Sequence, residues 1–296
     1  MNKVYIKARA KINLNLDVLD KREDNYHNIK SVFQKINLYD EIFIEKTNTE
    51  GLELQTNIES LNNNDNIIYK AYEKLSAKLS AKYKSITGVK VTLNKRIPMQ
   101  AGLAGGSTDC ASFIVGINKL FDLEMSKKKM ETIGKSLGAD VVPCFYNRAV
   151  LAEGIGDEIT EINTDFKYYV VIIKPQTSCD TKDMYKKIDE KNQTKLIDKT
   201  DIIIKALEEN NIKSISNNLH NSFEDVMPDK KLIHNIKDEL TKNGAIASLM
   251  TGSGSCVYGI FENKNIARNA YKVLKEKYET YICTSYNSKN KTYLGK

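Results

Sequence analysis

Apolar and polar residues alternate strictly over positions 4 to 18 of the chain. The apolar set is Val4, Ile6, Ala8, Ala10, Ile12, Leu14, Leu16 and Val18, and the polar or amphipathic set is Tyr5, Lys7, Arg9, Lys11, Asn13, Asn15 and Asp17. This period of two residues predicts a long strand, or two joined at a bend, that is buried on one side only. A solvated outer face explains any single lysine there. The asparagines among the cations weaken that explanation and favour a functional face.

A glycine-rich segment, Pro98 to Thr108, lies between a predicted strand at 89–94 and a helical pattern that begins near Cys110. Its three glycines let the backbone approach a ligand closely and adopt positive φ. We expect Ser107 and Thr108 to cap the following helix, whose N–H groups and dipole would then bind an anion in the loop. An ordinary glycine-rich turn before a helix is the alternative.

Several known phosphate loops are excluded by residue type. A Walker A loop needs Gly-Lys-Ser/Thr at its end, whereas Gly105-Gly106 runs directly into Ser107. The glycines do not follow the first strand of a dinucleotide-binding unit, and the His-Arg-Asp and Asp-Phe-Gly signatures of protein kinases are missing. The sequence therefore predicts a phosphate cradle whose cation comes from elsewhere in the chain, and the N-terminal strand offers one.

Hydrophobic periodicity predicts an order of strands and helices that agrees with an α+β chain but does not by itself choose a fold. The strands are expected at about 4–18, 28–46, 51–56, 88–94, 148–153, 168–174, 246–250, 256–261 and 280–286, and the helices at about 66–83, 107–121, 126–137, 181–226 (two or more), 229–242 and 264–278. The second half resembles a split β-α-β-β-α-β unit with extra helices. We place a domain boundary near residue 160, which gives domains 1–160 and 161–296.

Composition excludes several other classes of protein. With 296 residues, 28% of them charged, and a net charge of +7 spread along the chain, the protein suits anionic ligands but has no nucleic-acid footprint. Five cysteines without a CxxC pair, and three scattered histidines, give no metal template and indicate reduced thiols. The longest apolar run is strand-sized. We therefore expect a cytoplasmic protein with no membrane segment and no signal peptide, as a monomer or weak homodimer.

Five segments resemble the GHMP superfamily of small-molecule kinases, in the expected order: Lys11–Leu14, Lys21–His27, the glycine-rich loop, Leu137–Asp140 and Thr251–Ser255. The Lys-Arg-x-Asp-x-Tyr-His segment is similar to that of members acting on cytidine diphosphate-linked methylerythritol. The resemblance implies two lobes, a ribosomal S5 domain 2-like N-terminal domain and a ferredoxin-like C-terminal domain. It also implies ATP-dependent phosphorylation, with Mg²⁺, of that small molecule's 2-hydroxyl in non-mevalonate isoprenoid synthesis.

Phosphoryl transfer needs a phosphate cradle, a nearby positive charge and a group that aligns or deprotonates the acceptor. By resemblance, Lys11 supplies the charge and Asp140 is the catalytic acid or base. An aspartate that only bonds its own turn is the alternative for Asp140. For ATP the resemblance implies Asn66, Lys95, Pro98, Met99, Gln100, Ala101, Gly102, Leu103, Ala104, Gly105, Gly106, Ser107 and Thr108. For the substrate it implies Asn13, Tyr26, His27, Asp140, Thr181 and Tyr185.

Within the substrate set, Tyr26 would stack on cytosine, His27 would bond its edge, and Tyr185 would close the opposite face. Asn66 has the alternative of a helix cap, and Tyr185 that of an ordinary helix aromatic. Three positions depart from the family pattern. Asn25 replaces a glycine and tolerates positive φ, Pro143 is displaced by one position, and Asp109 replaces a small or amide residue.

Two other functions remain open from the sequence. One is a sister kinase acting on another small alcohol, such as mevalonate or homoserine. The other is a non-catalytic relative that binds only nucleotide or RNA. The Mg²⁺ ligands are not identified by the sequence.

Overall fold

The computed structural model describes residues 1–79, 88–191 and 198–288. The alternating N-terminal segment forms β1 (Lys3–Lys21), which pairs antiparallel with β2 (His27–Lys46). Apolar side chains at the even positions are buried throughout. The expectation of one-sided burial is wrong from Lys11 onward, because the odd positions up to Asp17 are buried as well.

The first half of the chain supplies most of a seven-stranded sheet. After β1 and β2 come β3 (Leu52–Thr56), α1 (Ile67–Leu79), β4 (Val89–Asn94), α2 (Gly105–Phe121), α3 (Lys127–Lys135), α4 (Val141–Cys144), β5 (Val150–Glu153) and β6 (Glu158–Glu161). The predicted strands and helices are confirmed here, while α4 and β6 are additional. Residues 80–83 of the predicted first helix lie outside the described residues.

The second half forms a four-stranded antiparallel sheet with helices. Its elements are β7 (Tyr169–Lys174), α5 (Thr181–Lys191), α6 (Thr200–Glu208), α7 (Ile212–Asn218), β8 (His220–Asn221), α8 (Lys230–Lys242), β9 (Ala247–Met250), β10 (Val257–Phe261), α9 (Lys264–Leu274) and β11 (Glu279–Thr284). The sheet order β11-β7-β10-β9 confirms the split unit. Residues 192–197 of the predicted helical region lie outside the described residues.

Strand β1 joins the two halves. The first sheet has the order β3-β4-β2-β1-β8, with β5 beside β2, so that β8 of the second half pairs parallel with β1. Ala10, Ile12 and Leu14 share a hydrophobic cluster with Ile172 and Tyr258 of the second sheet. The odd positions contact other parts of the second half: Asn13 Oδ1 accepts from the Gly252 N–H, and Asn15 Nδ2 donates to Thr200 Oγ1. Both faces of the later part of β1 are therefore covered, which buries the polar residues of its odd positions.

Within the described residues, no helix is long and apolar enough to cross a lipid bilayer.

Candidate active site

A cavity of about 610 Å³ lies where β1, the glycine-rich loop and the second half meet. Its lining includes these predicted site residues: Lys11, Asn13, Asn66, Lys95, Pro98, Met99, Gln100, Ala101, Gly102, Leu103, Ala104, Gly105, Gly106, Asp140, Thr181 and Tyr185. Among the described residues, Ser107, Thr108, Tyr26 and His27 are predicted site residues that do not line it. A cavity of this size fits a small-molecule site.

The glycine-rich loop is shaped by left-handed backbone conformations. Gln100, Gly102 and Ala104 have φ values of 51°, 71° and 58°. Only glycine fits at position 102, because a Cβ there would lie 1.9 Å from the carbonyl oxygen of Thr251. The loop therefore packs directly against the Thr251–Ser255 segment of the second half.

Helix α2 begins at Gly105, and its N-cap residue Ala104 makes no side-chain hydrogen bond. The prediction that Ser107 and Thr108 cap this helix is wrong, because both lie inside its first turn. The Thr108 hydroxyl is buried and donates to the carbonyl oxygen of Arg9 at 2.8 Å. Since no side chain caps α2, its first N–H groups are left for an anion in the loop.

Lys11 is a buried cation at the floor of the cavity. Its ammonium donates to Asn13 Oδ1 at 2.7 Å and lies 4.7 Å from the centre of the Phe33 ring. Burial lowers the pKa of Lys11, and the attraction of Asp140 opposes that shift. The two groups thus interact electrostatically across the cavity, although no direct ion pair joins them in the described part of the chain.

Asp140 is exposed at the start of α4, and its side chain makes no capping hydrogen bond. The alternative of a carboxylate that caps its own turn is therefore not supported. Pro143 lies in the first turn of α4, where a proline removes no intrahelical donor. The displaced proline thus continues the turn that presents Asp140 to the cavity.

Asn13 connects three segments of the site. Its Oδ1 accepts from Lys11, from the Gly252 N–H at 2.9 Å and from the Thr251 hydroxyl at 3.2 Å. Its Nδ2 donates to Ser31 Oγ at 2.8 Å. Both ends of the amide are engaged, so Asn13 holds Lys11 in place between the two halves of the protein.

Lys95 is held between two buried carboxylates beneath the loop. Its ammonium bonds Asp40 and lies 2.6 Å from Asp109 Oδ2. Burial of Asp109 raises the pKa of its carboxyl well above its usual range. The Lys95 ammonium opposes this shift, since it attracts the ionised form of Asp109. The sequence had not indicated Asp40, which is one acidic residue on a strand.

Asn66 begins the segment that leads into α1 and serves as its cap. Its Oδ1 accepts from the Ile68 N–H at 3.1 Å. The capping interpretation is therefore confirmed, and Asn66 also lines the cavity.

The β1–β2 turn carries Tyr26 and His27. Asn25 adopts a φ of 67°, which is the positive φ that asparagine is expected to tolerate at this position. Tyr26 is 59% exposed, while His27 is buried. The imidazole of His27 stacks on Tyr185, with ring centres 5.0 Å apart at 16°. Tyr185 also lines the cavity, so it connects this turn to the site.

Two family profiles match this chain. The profile described as "GHMP kinases N terminal domain" matches residues 66–148, and "GHMP kinases C terminal" matches residues 203–280. A protein of Alkaliphilus oremlandii named 4-diphosphocytidyl-2-C-methyl-D-erythritol kinase is 38% identical over 293 residues, covering 97% of this chain and 98% of that protein.

Solved structures show the same fold. A crystal structure of a 4-(cytidine 5'-diphospho)-2C-methyl-D-erythritol kinase matches with a TM-score of 0.80 at 24% identity, covering 96% of this chain and all of that one. The L. major mevalonate kinase in complex with R-mevalonate matches with a TM-score of 0.73 at 13% identity, covering 96% of each chain. Both matches confirm the predicted two-lobed α+β GHMP fold. The identity over nearly the whole length shows that the chain belongs to the 4-diphosphocytidyl-2-C-methyl-D-erythritol kinase family of GHMP kinases.

Proposed function

We propose that this protein transfers the γ-phosphoryl group of ATP to the 2-hydroxyl of 4-diphosphocytidyl-2-C-methyl-D-erythritol in non-mevalonate isoprenoid synthesis. The observation that carries the proposal is that Lys11, Asp140 and the glycine-rich loop line one cavity in a member of this family. The fold alone does not select the acceptor, because the mevalonate kinase shares it.

The chemistry assigned to this cavity is an in-line phosphoryl transfer. The loop N–H groups hold the nucleotide phosphates, and Asp140 aligns the acceptor hydroxyl and takes its proton. The acceptor oxygen then bonds to the γ-phosphorus as the bond to the β-phosphate oxygen of ADP breaks. In the proposal, the Lys11 ammonium stabilises the charge that develops on the transferred group.

The remaining site residues have binding roles in the proposal. For ATP, Asn66 lies near the adenine, Lys95 near the adenine nucleotide, and Pro98 and Met99 also bind ATP. The phosphates are held by Gln100, Ala101, Gly102, Leu103, Ala104, Gly105, Gly106, Ser107 and Thr108. The substrate is bound through Asn13 near the erythritol and through Tyr26, His27, Thr181 and Tyr185 around the cytidine. Ser107 and Thr108 would act through the first turn of α2, since their side chains lie off the cavity.

The proposed co-substrate is ATP together with Mg²⁺. No group of three or more metal-binding side chains occurs within residues 1–79, 88–191 and 198–288. Mg²⁺ is commonly bound by one or two carboxylates together with substrate phosphates and water, and the exposed carboxylate of Asp140 fits that requirement. When bound, the ion would neutralise charge on the phosphates.

The proposal also includes a boundary between domains near residue 160, a cytoplasmic location, a monomeric or weakly dimeric state and no nucleic-acid partner. RNA binding would reveal itself by an affinity that falls steeply with salt.

The test offers ATP, Mg²⁺ and one of four acceptors: the cytidyl substrate, its uridyl analogue, mevalonate or homoserine. We expect ADP release and a new phosphomonoester with the cytidyl substrate in preference to the others. Asp140→Asn should lower kcat by about 10²–10⁴-fold and retain ATP binding. The control Asp238→Asn, on the exposed face of α8, should leave kcat unchanged. Faster turnover of mevalonate or homoserine would overturn the proposal.

A further inference from the structure

Asp189 of α5 binds His27 of the β1–β2 turn across 162 positions of sequence. Its Oδ1 lies 2.7 Å from His27 Nε2, and its Oδ2 lies 2.6 Å from the ammonium of Lys21. Asp189 was not among the residues singled out from the sequence, and none of the binding roles proposed above uses it. Its position against a residue proposed to read the base indicates a part in recognition.

The chemistry of this contact determines which ring nitrogen of His27 carries the proton. An ionised carboxylate only accepts hydrogen bonds, and Lys21 and His27 hold the pKa of Asp189 below its usual range. Nε2 is therefore the protonated nitrogen, and in a neutral imidazole Nδ1 is then an acceptor. Among the described residues, His27 Nδ1 has no hydrogen-bond partner. It is also not one of the fully buried polar atoms that lack a partner, so part of its surface is open.

We propose that Asp189 determines base specificity by fixing His27 as an acceptor for the 4-amino group of cytosine. Cytosine presents an amino donor at this position, whereas uracil presents a carbonyl acceptor. An Nδ1 acceptor binds the amino group of cytosine and repels the carbonyl oxygen of uracil. Asp189 is a positioning residue in this proposal, because it acts through His27 rather than on the substrate. The inference rests on the proposed function and deepens it.

The ring of His27 is also held in one plane. Tyr185 stacks on it from α5, one turn before Asp189, and packs edge-on against Phe223 with ring centres 5.0 Å apart. The same helix therefore supplies both the carboxylate that sets the proton and the aromatic ring that sets the orientation. Tyr185 lines the cavity and His27 does not, so the proposal places the base where it reaches His27 alongside the Tyr185 ring.

Lys21 makes the effect of an amide at position 189 predictable. In Asp189→Asn the ammonium of Lys21, which only donates, favours the amide oxygen on its side. The amide NH₂ then faces His27 Nε2, which becomes an acceptor, and the proton moves to Nδ1. The variant should therefore present a donor to the base. Lys21→Met removes the constraint, so the double variant allows the amide to turn back.

The experiment compares kcat/KM for the cytidyl substrate and its uridyl analogue in the full chain. We expect Asp189→Asn to lower the cytidyl-to-uridyl ratio by about 10- to 100-fold. Lys21→Met and the control Glu190→Gln, on the exposed side of α5, should keep the ratio within about twofold. The double variant Lys21→Met/Asp189→Asn should recover part of the ratio, which a merely structural role would not predict.

A second readout does not depend on turnover. Nitrogen-15 NMR of the ligand-free chain, which has only three histidines, reports the protonated nitrogen of His27 directly. Protonation at Nε2 in the wild type and at Nδ1 in Asp189→Asn is expected. An active kinase whose ratio is unchanged in Asp189→Asn, or whose double variant recovers nothing, would overturn the role of Asp189 alone. A wild-type chain inactive on the cytidyl substrate would instead overturn the proposed function, and this role with it.

Discussion

Replacing Lys95 by methionine tests the buried ion cluster beneath the phosphate loop. The side chains of Lys95, Asp40 and Asp109 are 4%, 0% and 4% exposed, so solvent screens little of their charge. Asp40 Oδ1 also accepts the Ile97 N–H at 2.8 Å, at the start of the loop. Methionine preserves most of the volume of Lys95 and removes only the charge that separates the two carboxylates.

The expected cost follows from leaving buried charges without a partner. Removing one member of a buried ion pair costs about 3–5 kcal/mol of unfolding free energy. The pKa of Asp109 is raised by burial, so its proton binds more tightly in the folded state than in the unfolded one. Lower pH therefore favours the folded form through this group. The destabilisation caused by Lys95→Met should shrink as the pH falls from neutral toward 3.8.

Urea unfolding of the wild type and Lys95→Met at neutral and acidic pH measures this difference. Asp109→Leu in the Lys95→Met background removes the second carboxylate, and we expect it to restore at least half of the lost free energy. The double-mutant cycle then reports the coupling between the two side chains. A loss below about 1 kcal/mol for Lys95→Met, or a double variant less stable than the single one, would refute the reasoning.

Three further outcomes follow from single residues. Burial lowers the pKa of Lys11 from 10.5, so the ammonium loses its proton, and turnover declines, at a pH below 10.5. In a kcat–pH profile, Lys11→Arg should lack this decline, because a guanidinium keeps its charge. Gly102→Ala should abolish most activity and lower the midpoint of urea unfolding, because the new methyl group clashes with the Thr251 carbonyl. An unfolding midpoint equal to that of the wild type would contradict the close packing of the loop on Thr251. Asp122→Gly should stabilise the protein by about 0.5–1 kcal/mol, since Asp122 ends α2 at a φ of 52°, while Asp122→Ala should give no gain.

The sequence predicted those parts of the site that depend on residues close together in the chain. The alternation of β1 placed Lys11 and Asn13 on one face, and three glycines in five residues marked the loop. The cap prediction failed because the left-handed conformation of Ala104, which no side-chain type announces, sets the start of α2. The prediction of one-sided burial for β1 failed because a period of two residues does not reveal that Gly252, α6 and β8 of the second half lie against its odd positions.

Asp40 and Asp189 could not be predicted for a different reason. Each is a single acidic residue in an element that carries other charges, and its partner lies far away in sequence: 55 positions separate Asp40 from Lys95, and 162 separate Asp189 from His27. Composition and periodicity do not predict contacts between residues that lie this far apart in sequence. They become visible only when the fold brings β2 against β4, and α5 against the β1–β2 turn.

The segments that the sequence showed as separate signatures form one connected unit in the fold. The Lys11 N–H donates to the Leu103 carbonyl at 3.2 Å, and the Thr251 hydroxyl oxygen lies 3.2 Å from the Gly102 carbonyl oxygen. The side-chain amide of Asn13 connects the same segments, because its Oδ1 accepts from the Lys11 ammonium and from the Gly252 N–H. The backbone of Lys11 is thus bonded to the glycine-rich loop, and its ammonium is held by Asn13 Oδ1 rather than, among the described residues, by an ion pair with Asp140. Under the proposed function, the Asp140 carboxylate aligns the acceptor hydroxyl while Asn13 keeps Lys11 in place.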